Sequence, residues 1–282
     1  MPQKTHRDAV IRTIGDAYME VYPAPGIEDQ LACLSDNAYV AITCSPKRGI
    51  RTTLELTERL VNTGFRVVPH VAARMVRDRV HLKDILQQLD AMRIDSVFVP
   101  AGDIGEPVGD YSASLAVLRD MAEIGHEIAN IGVASHPEGH PLVDNTTLLA
   151  TLKDKQPFAT YLVTQMCFDA GRIIDWLRYI RAEGVSLPAW IGLPGVIERS
   201  KLVKTSMRIG VGESVRFAAK HIRLLGRFFG GRVYKPDDLL DGLAPYLDDS
   251  VCNIPGFHLF CFNLVESTEE WRLKKVASLK RS

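Results

Sequence analysis

The sequence lacks both a long apolar run and an excess of charge of either sign. Its 282 residues carry 34 Lys and Arg against 34 Asp and Glu, so the formal net charge is zero. Nucleic-acid binding usually needs a basic excess, and a membrane span needs roughly 18 consecutive apolar residues. The polar first eight residues also lack the apolar core of a signal peptide. We therefore expect a cytoplasmic protein with neither a nucleic-acid partner nor a membrane partner.

Sequence motifs of several enzyme classes are missing as well. The five cysteines show no CxxC spacing, which predicts buried free thiols in a reducing compartment. GxSxG and P-loop motifs are absent, so acyl transfer and nucleotide hydrolysis have little support. An open doubly wound sheet would normally carry a GxGxxG loop after its first strand. Here that loop is Pro23-Ala24-Pro25-Gly26.

What the sequence does contain is a regular alternation of apolar strand-like runs with helical stretches. The predicted strands cover residues 17–23, 38–43, 65–70, 95–100, 127–134, 159–166, 189–193 and 257–262. The predicted helices include 111–124 and 213–229, and a short one near 236–246. Near-continuous apolar strands alternating with helices are typical of a parallel sheet covered on both faces. Eight repeats in a chain of this length favour a (β/α)8 TIM barrel over the open sheet. We predict a single catalytic domain over residues 1–282, with a leading helix over 1–15 and an irregular insertion over 230–256.

Polar residues stand at the carboxyl ends of these predicted strands, where barrels carry their chemistry. They are Glu20, Thr43, His70, Asp103, His136, His140, Gln165 and Asn263. Strand propensity explains few of them, and they come from distant parts of the chain. Together they predict a polar rim with two carboxylates.

Three of these residues suggest particular chemistry. A carboxylate inside a barrel, as expected for Glu20, is costly to bury unless it is paired or neutral, which suits a general acid. Asp103 could stabilise a developing cation, and the amide of Gln165 could both donate to and accept from a heterocycle. The alternatives are a rim glutamate paired with an arginine, an aspartate that caps its loop, and a satisfied core amide.

The motif His136-x-Glu138-x-His140 raises the question of a metal site. The adjacent prolines disfavour a helix, so the two histidines need not share a face. A metal-dependent barrel hydrolase would usually place a histidine pair on an early strand and add more carboxylates. We therefore expect no metal here, and instead a loop packed by ring stacking or in contact with phosphate. A metal-dependent barrel hydrolase or lyase stays open as an alternative.

Several segments resemble those of one known family. Tyr18-Met19-Glu20-Val21-Tyr22-Pro23 resembles the FEFFPP-type first strand of methylenetetrahydrofolate reductases. Other matching segments follow in the family's order: Pro69-His70, Ala101-Gly102-Asp103, Tyr111, 136–141, 163–169, 193–196 and 257–263. The resemblance covers roughly residues 17–266, and the length of the chain is similar to that of the bacterial single-domain type. It implies reduction of 5,10-methylenetetrahydrofolate to 5-methyltetrahydrofolate by NAD(P)H, usually through FAD.

The resemblance also implies residue roles. Glu20 would be the general acid that opens the imidazolidine ring, and Asp103 would stabilise the iminium cation and hold the pterin. Gln165 and Asn263 would bind substrate. The cofactor-binding positions would be Thr43, His70, Tyr111, His136 and His140. The implied partners are a folate and a nicotinamide nucleotide, with NADH preferred, in a possible homo-oligomer.

The sequence departs from the family pattern where FAD would bind. Ala101 stands where family members commonly carry an arginine, and Asp154 stands at a lysine position. A diphosphate needs donors and positive charge, so we expect weaker FAD binding. Lys153 or Lys155 would compensate if the alignment shifted by one residue.

The middle and C-terminal parts, including 208–212, look similar to a divergent actinobacterial branch that is thought to work without flavin. We therefore expect hydride to pass directly from the nicotinamide to the folate, with FAD-mediated transfer as the alternative. A protein of another class would be a folate-binding barrel of one-carbon metabolism without reductase activity. The presence of both Glu20 and Asp103 speaks against it, because binding alone would not need the acid.

Overall fold

Eight short parallel strands form the centre of the structure, a computed structural model that describes residues 2–208 and 233–281. They are β1 (Tyr18–Val21), β2 (Tyr39–Ile42), β3 (Arg66–Pro69), β4 (Ser96–Phe98), β5 (Asn130–Ser135), β6 (Tyr161–Thr164), β7 (Ala189–Pro194) and β10 (Phe257–Phe260). Two further strands, β8 (Ile197–Glu198) and β9 (Val233–Tyr234), form a separate antiparallel pair.

The eight strands close into a barrel. Their order is β3-β2-β1-β10-β7-β6-β5-β4, and every neighbouring pair is parallel. The two outer strands meet through a parallel bridge between His70 and Phe98, where the Val71 N–H donates to the Phe98 carbonyl at 2.8 Å. All carboxyl ends therefore face one rim. The predicted single-domain α/β barrel is confirmed.

Helices surround the strands. They are α1 (Pro2–Gly15), α2 (Ile27–Leu31), α3 (Gly49–Asn62), α4 (Arg79–Ala91), α5 (Ser114–Ile124), α6 (Asn145–Lys155), α7 (Ala170–Ala182), α8 (Arg199–Arg208), α9 (Asp237–Leu243) and α10 (Val265–Arg281). Asp78, Asp144 and Asp169 cap α4, α6 and α7 by accepting backbone N–H bonds. Each such cap stabilises its helix by about 1 kcal/mol. None of the helices in the described ranges is long and apolar enough to span a bilayer.

Side chains alternate between the barrel interior and the layer beneath the helices. Met19 and Val21 of β1 belong to the large core cluster outside the barrel. Tyr18 faces the interior, where its ring stacks on Trp190 of β7 at 4.3 Å between centroids. Because β10 lies between β1 and β7 in the sheet, this contact crosses the interior. Glu20 shares the face of Tyr18, which directs its carboxyl group inward.

Glycines make room for aromatic rings inside the barrel. A Cβ atom at Gly132 would lie 2.4 Å from the Tyr161 ring. One at Gly192 would lie 2.2 Å from the Thr164 carbonyl and 2.6 Å from the Phe260 ring. Real Cβ atoms do not approach so closely, so larger residues at these positions would displace the rings that line the interior.

The helices bury one apolar face against the outside of the barrel. In α4, Leu82, Ile85, Leu86 and Leu89 are at most 5% exposed, as their spacing predicts. Full burial of each such side chain contributes about 1.5–3 kcal/mol. Packing of this face, rather than helix propensity, therefore holds the helix in place.

Some predicted boundaries were wrong. The helix predicted over 111–124 begins at Ser114, because Ala113 is extended and the Asp110 N–H donates to Arg77 instead of entering a helix. Within 233–256, the short helix predicted near 236–246 is confirmed as α9 and a 3-10 helix over Ala244–Tyr246, whereas the strand β9 was not predicted. The helix predicted over 213–229 lies outside the described residues.

All five cysteines are free. Three are buried, as predicted: Cys167, Cys252 and Cys261. Cys44 is half-buried, and the prediction was wrong for Cys33, which is exposed on the loop after α2.

Candidate functional site

Glu20 and His258 form a hydrogen-bonded pair inside the barrel. The distance between His258 Nε2 and Glu20 Oε2 is 2.7 Å. β1 and β10 are neighbours, with Tyr18 opposite His258 and Glu20 opposite Phe260. The two paired side chains are thus diagonal neighbours on one face, close enough for direct contact. The His258 side chain is only 3% exposed and that of Glu20 is 16% exposed, so the pair is largely shielded from water.

His70 approaches the same carboxylate oxygen from another strand. It follows β3, and its Nε2 lies 3.8 Å from Glu20 Oε2. Burial lowers the pKa of His70 to about 4, while Glu20 opposes this shift and His258 adds to it. His70 is therefore neutral near pH 7. Its Nε2 atom is buried without a hydrogen-bond partner.

Glu20, His70 and His258 are also the donor types that bind divalent metals. Their ligand atoms lie within 4.8 Å of one another. Two ligands on one tetrahedral zinc ion, each at about 2.0–2.1 Å from the metal, would stand about 3.3 Å apart. The 2.7 Å between Nε2 and Oε2 is a hydrogen-bond distance instead. The geometry is that of a carboxyl–imidazole pair rather than of a preformed metal site.

The motif around His136 and His140 packs through its rings. The two imidazoles meet edge to face, with 5.1 Å between centroids and an interplanar angle of 82°. Burial lowers the pKa of His136 to about 4, and His140 and Lys155 add to the shift. The loop is therefore packed by contact between the two rings, as predicted, but the contact is edge to face rather than stacked.

Asp103 lies in the exposed loop that follows β4. Arg74 braces this loop by donating to the carbonyl groups of Ser112 at 2.9 Å and Ile104 at 3.0 Å. Burial lowers the pKa of His140, Arg74 adds to the shift, and Asp103 opposes it. Asp103 and His140 therefore interact electrostatically at the rim.

Gln165 and Thr43 follow their strands directly. The Gln165 N–H donates to the Ser135 carbonyl at 2.8 Å, and its side-chain oxygen accepts from the Met166 N–H at 2.8 Å. Within the described part of the chain, this is the hydrogen bond of the Gln165 side chain, and its amide nitrogen could donate to a ligand. Thr43 is half-buried, and its backbone N–H donates to Val21 at 2.8 Å.

The other two predicted residues make structural contacts. Tyr111 is 4% exposed, and its hydroxyl group donates to Asp120 of α5. Asn263 accepts from the Tyr22 N–H and donates to the Tyr22 carbonyl, both at 2.9 Å. Asn263 thus joins the loops after β1 and β10, and the ligand contacts predicted for both residues stay predictions.

Aromatic rings surround the Glu20 carboxyl group. The centroid distances are 4.8 Å between His70 and Phe98 and 5.2 Å between His258 and Phe260. Phe98 and His258 are 6.5 Å apart. A flat heterocycle could pack on such rings while Glu20 reaches one of its edges.

Sequence reasoning did not select His258 as a site residue. The available signal was a histidine two positions before Phe260 in an otherwise apolar strand. By alternation, such a residue shares one face with Phe260, and the structure places that face inside the barrel.

Fold and geometry together define an α/β-barrel protein with a buried carboxyl–histidine site between parallel strands. The family model described as "Methylenetetrahydrofolate reductase" matches residues 29–207. The chain belongs to the methylenetetrahydrofolate reductase family. Glu20 and His258 both lie outside the matched range.

Two yeast proteins are similar over short segments. "Methylenetetrahydrofolate reductase 2" of Saccharomyces cerevisiae is 35% identical over 71 residues, which cover 24% of this chain and 11% of the yeast protein. "Methylenetetrahydrofolate reductase 1" of Schizosaccharomyces pombe is 32% identical over 83 residues, covering 29% and 14%. The matched segments are therefore a small part of these relatives' length.

One solved structure is similar over nearly the whole chain. It is an uncharacterized protein from Clostridium thermocellum that binds two copies of 5-methyl-5,6,7,8-tetrahydrofolic acid. The TM-score is 0.65, and the match covers 98% of each chain at 10% sequence identity. At this identity the similarity supports the fold alone.

Proposed function

We propose that the protein reduces 5,10-methylenetetrahydrofolate to 5-methyltetrahydrofolate, with NADH as the preferred hydride donor. The observation that carries this proposal is the Glu20 carboxyl group, shielded inside the barrel and bonded to His258 at 2.7 Å. Family membership gives the substrate class, and the surrounding rings offer a surface for a pterin. A binding protein would have no need for an acid in this position.

The residues would divide the reaction as follows. Glu20 protonates N10 of the imidazolidine ring, and the bond between N10 and the methylene carbon breaks with its electron pair going to N10. The methylene group remains on N5 as an iminium cation, which Asp103 stabilises electrostatically. The reduced nicotinamide supplies a hydride, which converts this methylene group into the methyl group. Glu20 regains its proton from water, so each turnover consumes one proton.

The diphosphate of a nicotinamide dinucleotide needs positive charge, and four residues are candidates to supply it: those at 101, 153, 154 and 155. Ala101 and Asp154 are exposed and offer no positive charge. Lys153 is engaged with Glu183 at 2.8 Å. Lys155 contributes to the pKa shift of His136, so its ammonium group lies within electrostatic reach of that ring. Burial lowers the pKa of Lys155 itself to about 8. Of these four residues, Lys155 is the one that we propose for a diphosphate, and the lack of positive charge at 101 and 154 favours direct transfer over an additional FAD.

The test is the visible spectrum of the purified protein, followed by NADH oxidation with 5,10-methylenetetrahydrofolate and no added flavin. We expect no flavin absorption, and formation of 5-methyltetrahydrofolate in step with NADH loss. A bound flavin that is essential for turnover would overturn direct transfer. Absence of turnover with NADH or NADPH, with or without FAD, would overturn the reductase proposal. Folate binding without turnover would favour the binding-barrel alternative.

Lys155→Met is expected to raise the KM for NADH about tenfold and to leave kcat within about twofold, because one charged hydrogen bond is worth about 1.5–3 kcal/mol. In the parent protein, kcat/KM for NADH should fall as the pH rises through about 8, where Lys155 loses its charge. Lys153→Met is the matched control and should leave both constants unchanged. An unchanged KM for NADH in Lys155→Met would remove this lysine from the binding site.

A further inference from the structure

The two oxygens of the Glu20 carboxyl group have different surroundings. Oε2 lies 2.7 Å from His258 Nε2 and 3.8 Å from His70 Nε2. Within residues 2–208 and 233–281, both histidines approach Oε2, and Oε1 accepts no hydrogen bond. The two histidine side chains are 3% and 6% exposed, whereas that of Glu20 is 16% exposed. The accessible part of the cluster therefore belongs to Glu20.

The surroundings of His258 assign its tautomer. Its Nδ1 atom is buried without a hydrogen-bond partner. A proton on Nδ1 would be an orphaned donor, and buried donors without acceptors are rare. A proton on Nε2 instead points at Glu20 Oε2 and completes a hydrogen bond to that oxygen. We therefore assign a proton to Nε2 of His258, directed at Glu20.

The other titratable groups around the pair carry no charge near pH 7. Burial raises the pKa of Tyr18 and of Cys261 far above neutral pH. His70 is neutral because burial lowers its pKa to about 4. None of these three groups therefore competes with His258 for Glu20 Oε2 as a charged partner.

We propose that His258 is a positioning residue that holds Oε2 of Glu20, so that Oε1 is the oxygen that transfers the proton to the substrate. This inference rests on the proposed reductase function. A carboxyl group held at one oxygen presents the other in a single orientation. A misplacement of about 1 Å in a reacting group can cost about 100-fold in rate. The imidazole acts through Glu20 and does not itself touch the reacting atoms.

Two substitutions separate the hydrogen bond from the packing of the ring. His258→Phe keeps a ring in the interior but has no donor, whereas His258→Gln places an amide N–H close to the position of Nε2. We expect His258→Phe to lower kcat about 10- to 100-fold with little change in the folate KM, and His258→Gln to recover most of the loss. The pH dependence of kcat should shift in His258→Phe alone. His126→Phe, in the loop between α5 and β5, is the matched control and should be unchanged.

A kcat for His258→Phe within about twofold of the parent value would overturn the proposal, as would a His258→Gln variant no better than His258→Phe. If neither variant folds, the 15N chemical shifts of His258 in the parent protein decide the matter. A proton on Nε2 supports the proposal, and a proton on Nδ1 overturns it.

Two measurements on the parent protein, turnover and the tautomer of His258, distinguish this inference from the proposed function. Absence of turnover with an Nε2–H tautomer would overturn the reductase function together with the role of Oε1, while the assigned contact would stand. Turnover with an Nδ1–H tautomer would overturn the inference alone. Stoichiometric binding of Co²⁺ that is lost in His258→Gln would also overturn the inference, because Oε2 would then be a metal ligand.

Discussion

Glu20→Gln is expected to lower kcat/KM for 5,10-methylenetetrahydrofolate by about 100- to 10,000-fold, the range in which a positioned general acid contributes. The amide group matches the carboxyl group in size and keeps an oxygen that can accept from His258. Its N–H protons are not acidic enough to be given to N10. The loss should therefore appear in the rate while the fold is preserved. Steady-state NADH oxidation and urea unfolding measure the two effects separately.

The control for this substitution is Glu55→Gln in α3. Glu55 is exposed and pairs with Arg51 at 3.0 Å, so removal of its charge should leave the rate unchanged. Residual activity of Glu20→Gln within about tenfold of the parent would remove Glu20 as the acid. A variant that lost activity and stability together would show that the carboxyl group acts mainly through folding.

Phe257→Ala is expected to lower the free energy of unfolding by about 3–5 kcal/mol, because it removes a buried ring and leaves a cavity. Phe257 is 0% exposed and lies in the core between the barrel and the helices. A typical domain is stable by about 5–15 kcal/mol, so this one substitution would remove a large share. Urea denaturation followed by circular dichroism measures the change.

Tyr179→Ala in α7 is the matched control, because Tyr179 is 50% exposed. Surface substitutions of this kind usually change stability by at most about 0.5 kcal/mol. A Phe257→Ala variant destabilised by less than about 1 kcal/mol would contradict the packing around β10. Since Phe257 directly precedes His258, the variant should also weaken the Glu20 pair.

The sequence was sufficient to predict the barrel because each strand and helix can be recognised from a short stretch of residues. Each strand is a short apolar run, and each following helix shows its own apolar spacing, as in α4. Where local signals conflict, prediction fails. Residues 111–113 were predicted to be helical. A hydrogen bond from the Asp110 N–H to the Arg77 carbonyl group instead holds the segment before Ser114 in a loop. That bond joins distant residues, which no periodicity reveals.

The candidate site was predictable only in part for the same reason. Glu20 and His70 could be selected because charged or basic residues at strand ends are unusual. His258 could be paired with Glu20 only with knowledge that β1 and β10 are neighbours, and the two residues are 238 positions apart. Asn263 has a side chain that often binds ligands. The conformation of two loops instead brings its amide group into hydrogen bonds with Tyr22.

The pairing of β1 with β10 also has a consequence for the order of events during synthesis. The ribosome makes Glu20 early, and the partner of its carboxyl group emerges 238 residues later. Until then, β1 and β7 each expose one unpaired edge, because β10 is the strand that lies between them. Such edges are prone to pair with other chains. The last strand therefore closes the barrel and completes the carboxyl–histidine pair in one step, so that the exposed edges and the incomplete site disappear together.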